Sequence, residues 1–336
     1  MKNLHITHPE DLVFDGKDAV KNVIEVFRSA FNDYNQEENN ITTKYDGAPS
    51  IVFGTDRYNG RFFVGTKSVF NKGVKQGKSM KIICYTNDCI DYYYNDKPEL
   101  NHILKLCMSY LPRVAGVYQA DFIGEGDSET TEFTANTLTY KFDNAPTEKI
   151  IMAVHTCYAG SDFDDMIALP QSSLTMPGID VKWCDTSVYI NEEQIFEQAF
   201  EYSMDAIVDK LECMSEDDFP VFKTKRAKIE LMKLINGYIR DNKILNAEDL
   251  SKQTDINFDV FELWELIANA KMVLLNRYIS SEDVECYVNN TPASHEGIVI
   301  INLKKVMMIK LVDRYQFSRA NFNNKKFQKV TSVCTN

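Results

Sequence analysis

The sequence predicts an α+β fold in which mixed or antiparallel sheets carry helices and one long helical block interrupts the strands. Three observations predict it. Apolar residues before residue 32 recur with a helical period, those in 41–70 and 116–157 alternate with a period of two, and those in 190–283 return to helical spacing. We therefore expect a sheet protein with an all-helical insertion.

Each predicted element has its own pattern. Short strands after residue 41 are separated by turn signals such as Asn59-Gly60. Residues 79–112 have a mainly helical pattern, and a proline ends it. A last pair of strands is expected at 297–302 and 306–312. The first helix has a single apolar stripe, formed by Val20, Val23, Ile24, Phe27, Ala30 and Phe31.

These patterns predict three segments. Residues 1–189 form the first part of a core, 190–283 form the helical insertion, and 284–336 form the second part of the core with a basic C-terminal stretch. Only 26 residues follow Lys310, which lies in the last predicted strand, so we expect no OB domain after it.

Composition limits the class of protein. Hydrophobic residues make up 44% of the 336 residues and charged residues 26%, which is typical of a globular protein and excludes a disordered or fibrous chain. No apolar run approaches the roughly 20 residues that span a bilayer, and no signal-peptide pattern opens the chain. The eight cysteines include no CxxC pair, which disfavours a zinc site or a disulfide framework. We expect a cytoplasmic protein without a membrane partner.

The charge is uneven along the chain. The net charge of −12 argues against a protein that coats nucleic acid nonspecifically. Residues 302–336, however, contain eight lysines and arginines against one aspartate, a local net charge of +7. A phosphate-binding surface is therefore expected to be a patch.

The run Lys44-Tyr45-Asp46-Gly47 is the strongest chemical signal. A lysine becomes a nucleophile when its pKa is lowered and when carboxylates organise metal and phosphate around it. The glycine lets backbone approach a ligand closely. KxDG alone arises by chance in roughly one chain in ten of this length, so a surface lysine before a tight turn is the alternative interpretation.

Further charged residues follow this run, mostly on predicted strands. In chain order they are Lys67 after a hairpin, Asp121 in a strand, His155 in the next strand, Glu296 in Glu296-Gly297-Ile298-Val299, and Lys310 in the last strand. Four of the five have a structural alternative: a hairpin lysine for Lys67, a hydrogen-bonded acid for Asp121, a core histidine for His155 and a surface acid for Glu296. The set and its order carry more weight than any single member.

In this order the chain resembles the covalent nucleotidyltransferase superfamily of ATP-dependent DNA and RNA ligases and GTP-dependent capping enzymes. It is most similar to poorly characterised ligase-like proteins of large-genome phages. The resemblance covers about 1–160 and 290–322. It implies a nucleotidyltransferase core, ATP-grasp-like, and, if the chain is phage-encoded, the cytoplasm of an infected host cell.

The resemblance also implies roles for the matching residues. Lys44 would form the covalent bond to the nucleotide, with Asp46 and Gly47 of the same motif in the nucleotide site. Roles at the nucleotide or the metal are implied for the remaining matches: Lys67 near the ribose, Asp121 at the sugar or the metal, His155 stacked on the base, Glu296 at the divalent metal or tuning Lys44, and Lys310 at the α-phosphate.

The sequence departs from the family pattern at several positions. Asp121 stands where the family usually has glutamate, and His155 replaces a phenylalanine. The family usually has a second lysine two residues from the one matched by Lys310, but Met308 and Val312 are apolar. With these departures, the sequence supports nucleotidylation of Lys44 better than it supports the later transfer steps.

Nucleic-acid contacts are predicted from basic residues. Arg226, Lys233 and Arg240 recur every seven residues, which places them on nearly one helix face. A solvated helix face is the alternative for this stripe. Further contacts are expected from Lys72, Arg314 and Arg319.

The leading functional hypothesis is an ATP-dependent polynucleotide ligase that uses ATP and Mg²⁺ (or Mn²⁺) and joins 5′-phosphate and 3′-hydroxyl ends as a monomer. A noncatalytic nucleotide-binding or nucleic-acid-binding protein with a ligase-like fold is one alternative, and a GTP-dependent capping guanylyltransferase is another. The motifs do not decide between ATP and GTP or between RNA and DNA.

Overall fold

The computed structural model describes residues 6–33, 37–73, 80–171, 176–241, 243, 245–282 and 284–318. Helices and strands are both abundant and the sheets are largely antiparallel, which confirms the predicted α+β class. The chain divides into two compact units. Unit 1 holds residues 44–187 and 280–295, and unit 2 holds residues 6–43, 188–279 and those from 296 onward.

Unit 1 is built on two sheets. The larger sheet has the order β3-β2-β4-β7-β8, with β9 paired in parallel to β7. Its strands are β2 (Ser50–Thr55), β3 (Phe62–Gly65), β4 (Val117–Glu125), β7 (Ile150–Ala159), β8 (Ile167–Pro170) and β9 (Val181–Trp183). The smaller antiparallel sheet has the order β13-β12-β6-β5, formed by β5 (Glu132–Thr134), β6 (Leu138–Phe142), β12 (Val284–Val288) and β13 (Thr291–Ala293).

Two helices cover one face of the larger sheet. They are α2 (Asn87–Tyr94), which begins at the N-cap hydroxyl of Thr86, and α3 (Pro98–Tyr110). Their apolar side chains share a core with Ala120 and Phe122 of β4. Because side chains alternate along a strand, Gln119 and Asp121 point to the opposite face.

Unit 2 combines most of the helices with a small sheet. The sheet has the order β1-β14-β15, formed by β1 (Asn39–Lys44), β14 (Gly297–Asn302) and β15 (Met307–Val312), and β10 (Val188–Ile190) pairs with β11 (Tyr278–Ser280). Its helices are α1 (Lys17–Asn32), α4 (Gln194–Glu212), α5 (Lys225–Arg240), α6 (Ala247–Thr254) and α7 (Phe258–Arg277).

The helical block does not form a separate core. Its apolar side chains belong to the cluster that also contains those of α1, β14 and β15. Phe31 of α1, for example, stacks on Phe200 of α4 with ring centroids 4.0 Å apart. The observed units therefore differ from the three predicted segments, because burying the amphipathic faces of α4 to α7 needs α1, which lies far away in sequence.

A closed ionic cluster lies in the interior of unit 2. Lys271 donates to Glu10 at 2.7 Å, and the Arg314 guanidinium donates to Asp11 at 2.8 Å and to Asn236 at 2.8 Å. The two acids balance the two cations, as a buried cluster requires. No helix in the described parts of the chain is both long and apolar enough to cross a bilayer.

Candidate active site

The Lys44 loop connects β1 to β2 and comprises Lys44, Tyr45, Asp46, Gly47 and the cis-linked Ala48-Pro49 pair. It lies between the turn that precedes β6 on one side and β4 on the other. The contacts on the two sides differ in chemistry, and together they fix the loop within unit 1.

Asp46 anchors the loop to the turn before β6. Its Oδ1 accepts from Nδ2 of Asn136 at 2.9 Å, and its Oδ2 accepts from the backbone N–H groups of Thr137 at 2.7 Å and Leu138 at 2.9 Å. The backbone N–H of Asp46 donates to the Tyr140 hydroxyl at 2.7 Å. The sequence predicted a nucleotide-binding role for Asp46; in the structure its two oxygens accept three hydrogen bonds from the turn before β6, which hold the loop in place.

Tyr45 packs on the same side, among rings. Its hydroxyl donates to the carbonyl of Asp185 at 3.0 Å, and its ring centroid lies 5.4 Å from that of Tyr140 and 5.1 Å from that of His295. Burial raises the pKa of Tyr45 well above its ordinary value. Burial also lowers the pKa of His295 to about 4, so this imidazole is neutral near pH 7.

Gly47 lets the loop lie against β4. A Cβ at this position would lie 2.6 Å from the Cβ of Asp121 and 3.0 Å from the carbonyl oxygen of Phe122. The N–H of Ala48 donates to that same carbonyl at 3.0 Å. The sequence predicted that the missing Cβ of Gly47 lets the backbone approach a ligand closely. In the structure, the group that the backbone approaches closely at Gly47 is β4. The loop is thereby held against β4 at Asp121.

Asp121 is the carboxylate beside the nucleophile candidate. Burial alone would raise the pKa of Asp121, but the charge and hydrogen bond of His155, the Ser50 hydroxyl and the charge of Lys44 together lower it below its ordinary value. Its side chain is 18% exposed, so it remains accessible to a small ligand. Asp121 therefore lies in unit 1 as an ionised group within electrostatic reach of Lys44.

His155 occupies an irregularity in β7. Gln119 pairs with Thr156 and Ala120 with Val154, so His155 is an extra residue without a partner in β4. Such a bulge re-aims a side chain, and here Nε2 of His155 lies 3.4 Å from Oδ1 of Asp121. The sequence predicted that this ring stacks on a base; the structure shows its edge directed at the carboxylate.

The predicted basic residues of unit 1 lie at the surface. Lys67 begins the short 3-10 helix Lys67–Phe70, whose N-cap is Thr66. Lys72 follows this helix and is exposed, and its charge contributes to lowering the pKa of Asp164. Neither position is buried by the fold, so both side chains are accessible to an anionic ligand.

Glu296 and Lys310 lie on the sheet of unit 2. Glu296 is buried directly before β14, and Lys310 of β15 pairs in register with Val299. Gly297 is required by a close approach, since a Cβ there would lie 2.0 Å from the carbonyl oxygen of Leu311. The Glu-Gly pair thus combines a buried acid with a glycine demanded by strand packing.

Among known proteins, similarity to this chain is found in one protein family. A family of unknown function, DUF6267, matches residues 3–256 and 246–326. The chain belongs to this family. No curated protein and no solved structure matches the chain.

In this DUF6267 chain the predicted basic stripe lies on the exposed face of α5. Arg226, Lys233 and Arg240 are all exposed. Lys233 bonds to Glu230 at 3.0 Å, and Arg240 bonds to Asp241 at 3.1 Å. The face is available to a polyanion, although acids within unit 2 already pair with two of its three cations.

Arg314 requires a correction. Its guanidinium is 3% exposed and donates into the ionic cluster of unit 2, so the predicted contact with nucleic acid is wrong for the observed conformation. The physical reason is that Glu10 and Asp11, more than 300 residues earlier, need a buried partner. Arg319 and the basic residues that follow it lie outside the described residues.

Several residues around Asp121 were missed by sequence reasoning. They carry hydroxyls or amides in ordinary strand positions and have no motif, namely Ser50, Gln119, Thr156 and Tyr158. One feature of the sequence could have indicated these residues: Gln119 is a polar residue between apolar neighbours in a predicted strand.

Asp121 has the chemistry to serve as a single carboxylate ligand of a magnesium ion that keeps most of its own waters and phosphates. Among the described residues no group of three or more His, Cys, Asp or Glu side chains could hold a metal ion. Mg²⁺ at nucleotide sites is commonly held by one or two carboxylates together with phosphates and waters. Asp121 meets that requirement, because a carboxylate has about four acceptor positions and the His155 ring faces only one of its oxygens, Oδ1, at 3.4 Å.

Proposed function

We propose that this chain is an ATP-dependent polynucleotide ligase that acts through a covalent lysyl-AMP intermediate on Lys44. One observation carries the proposal: the Lys44 loop is anchored through Asp46 on one side and lies beside the ionised Asp121 on the other. A lysine that merely precedes a surface turn needs neither contact. The ordered match of Glu296 and Lys310 to the ligase motifs adds to this support.

The first chemical step would form one bond and break one bond. The Lys44 amine attacks the α-phosphorus of ATP, a P–N bond forms, and the bond to the pyrophosphate oxygen breaks. The amine loses a proton in the process, and charge increases on the α-phosphate oxygens. Mg²⁺ would neutralise that charge, a role that a preorganised cation such as Lys310 would share.

Two further steps would complete ligation. AMP passes from Lys44 to a 5′-phosphate end, and a 3′-hydroxyl then displaces AMP to seal the strand. The basic stripe of α5, formed by Arg226, Lys233 and Arg240, is the surface we propose for the nucleic acid. Lys67 and Lys72 would contact the nucleotide and the end being joined.

The covalent intermediate is directly testable. Purified protein is incubated with α-labelled ATP or GTP and Mg²⁺, and we expect an acid-labile labelled adduct that is lost in Lys44→Ala. Lys252→Ala is the matched control, because Lys252 forms only an exposed pair with Glu248. No adduct with either nucleotide, or an adduct that persists in Lys44→Ala, contradicts the proposal.

A noncatalytic binding protein is the second candidate. It is favoured by the edge contact of His155 with Asp121 and by the apolar Met308 and Val312 beside Lys310. Binding of nucleotide and of nucleic acid is measured separately by fluorescence titration. Retained nucleic-acid affinity in a wild-type protein that forms no adduct favours this candidate.

The same labelling reaction addresses nucleotide and substrate class. An adduct formed only with GTP favours a capping guanylyltransferase. An adduct formed with ATP is then chased with nicked duplex DNA, nicked duplex RNA and single-stranded RNA that carries a 5′-phosphate. The substrate that discharges the label identifies the nucleic acid.

A further inference from the structure

A chain of hydrogen bonds crosses three strands of the larger sheet and ends at Asp121. The Tyr158 hydroxyl donates to Oε1 of Gln119, and Nε2 of Gln119 donates to Oγ of Ser50 at 2.6 Å. Ser50 lies directly opposite Asp121 in the register of β2 and β4, and its hydroxyl contributes to lowering the pKa of the Asp121 carboxylate. We call Tyr158, Gln119 and Ser50 the long chain.

The direction of the long chain is fixed by its chemistry. Ser50 has one hydroxyl proton, and because its oxygen accepts from Gln119, that proton remains available to the Asp121 carboxylate on the opposite strand. The Gln119 amide is oriented by its two partners, Tyr158 at its oxygen and Ser50 at its nitrogen. The donors of Tyr158 and Gln119 therefore both point along the chain toward Ser50.

A second, shorter chain reaches Asp121 from the opposite side. Oγ1 of Thr156 and Nδ1 of His155 lie 2.7 Å apart, and Nε2 of His155 faces Oδ1 of Asp121. In the neutral ring with the proton on Nε2, Nδ1 accepts from the Thr156 hydroxyl, and in the charged ring Nδ1 donates to the Thr156 oxygen while Nε2 still faces Asp121. We call Thr156 and His155 the short chain; it exists because His155 is the extra residue in β7.

The far end of the long chain is held rigidly. Gln119 is 3% exposed, and the Tyr158 ring packs among apolar side chains with its centroid 4.4 Å from that of Phe70. Polar groups in such a place cost stability unless every bond is made. An apolar residue would pack the same position without that requirement, so a polar chain here needs a reason other than stability.

We propose that the long chain and the short chain are positioning residues that orient the Asp121 carboxylate beside Lys44 during nucleotidylation. This inference rests on the proposed function. It assigns Tyr158, Gln119, Ser50 and Thr156 a role in the reaction through Asp121, and it changes the role of His155 from base stacking to orientation.

The test uses three variants that each remove one hydroxyl and little else: Tyr158→Phe, Ser50→Ala and Thr156→Val. We expect each to lower the maximal rate of Lys44 adenylylation about tenfold with the KM for ATP changed less than about threefold, because orientation acts on the reacting geometry. Ser50→Thr keeps a hydroxyl and should restore most of the rate. Thr254→Val, which removes a hydroxyl bonded to a helix carbonyl in unit 2, is the matched control.

Double variants separate positioning from a general loss of packing. Tyr158→Phe combined with Ser50→Ala should be no slower than Ser50→Ala alone, because both interrupt the same chain. Ser50→Ala combined with Thr156→Val should multiply the two losses, because the chains are separate. Thermal unfolding of every variant is recorded alongside.

The outcomes distinguish two failures. If the wild type forms no adduct, the proposed function fails and this positioning role fails with it. If the wild type forms the adduct but the hydroxyl variants retain its rate within twofold, or lose rate only in proportion to lost thermal stability, the positioning role alone is overturned.

Discussion

The two sides of the Lys44 loop are built differently, although each includes a carboxylate that is at least partly buried. On the Asp46 side, backbone N–H groups and rings surround the loop, and both carboxylate oxygens accept bonds that hold the fold. On the Asp121 side, hydrogen bonds from side chains converge on a carboxylate that is 18% exposed. We call these the anchor side and the reactive side.

The difference shows that burial of an acid does not by itself mark a reactive group. Asp46 and the acids of the ionic cluster in unit 2 are more deeply buried than Asp121. Asp46 and Asp11 accept hydrogen bonds from the protein itself, and Oε2 of Glu10, which accepts none from the described residues, is fully buried. A buried acid is a better candidate for ligand binding when one of its oxygens can still accept a hydrogen bond and is exposed to a surface that a ligand can reach.

The prediction with the largest effect concerns His295 on the anchor side. Its pKa of about 4 in the folded protein lies below the ordinary 6.5, so the unfolded chain takes up the proton first as the pH falls. The free energy of unfolding should therefore drop by about 2.5 kcal/mol from this group between about pH 7.5 and about pH 4.5. Urea unfolding of wild type and His295→Gln at both pH values measures it. An equal pH dependence in the two proteins refutes it.

The next prediction disturbs the boundary between the two sides. Gly47→Ala places a Cβ 2.6 Å from that of Asp121, and we expect a loss of about 2 kcal/mol in unfolding free energy together with loss of the adduct. Gly237→Ala in α5, where the nearest atom would lie 3.9 Å away, should instead stabilise by about 0.5 kcal/mol. Equal effects of the two alanines in denaturant unfolding would count against a close approach at Gly47.

A matched pair of amide variants then compares the carboxylates. Asp46→Asn directs an amide N–H toward backbone donors and should cost about 1.5 kcal/mol of stability, whereas Asp121→Asn should cost less than about 1 kcal/mol. The adduct rate should fall more in Asp121→Asn than in Asp46→Asn. The reverse ranking in either measurement would exchange the roles assigned to the two sides.

The smallest expected effect belongs to the Tyr45 hydroxyl. Tyr45→Phe removes its bond to the carbonyl of Asp185 and leaves the ring contacts in place. A loss of about 1 kcal/mol is expected, with the adduct rate retained. A large loss of adduct in this variant would mean that the anchor side takes a direct part in the chemistry.

Local patterns predicted the elements better than the site. The stripe of α1, the strands that carry Asp121 and Lys310 and the helical nature of the 190–283 block are all present. The long chain was not predictable, because Ser50 and Gln119 have no motif and meet only when β2 pairs with β4. Arg314 was assigned to nucleic acid because sequence shows charge but not burial.

The sequence alone determined which segments space their apolar residues with the period of two of a strand or the period of 3.6 of a helix, because this spacing is a local property. The motif around Lys44 also identified that residue as the candidate nucleophile. The tertiary structure decided what each polar residue contacts, because hydrogen-bond partners here are separated by tens to hundreds of residues. Only folding made Asp46 an anchor, Gly47 a point of close approach and Asp121 the meeting point of two chains of donors.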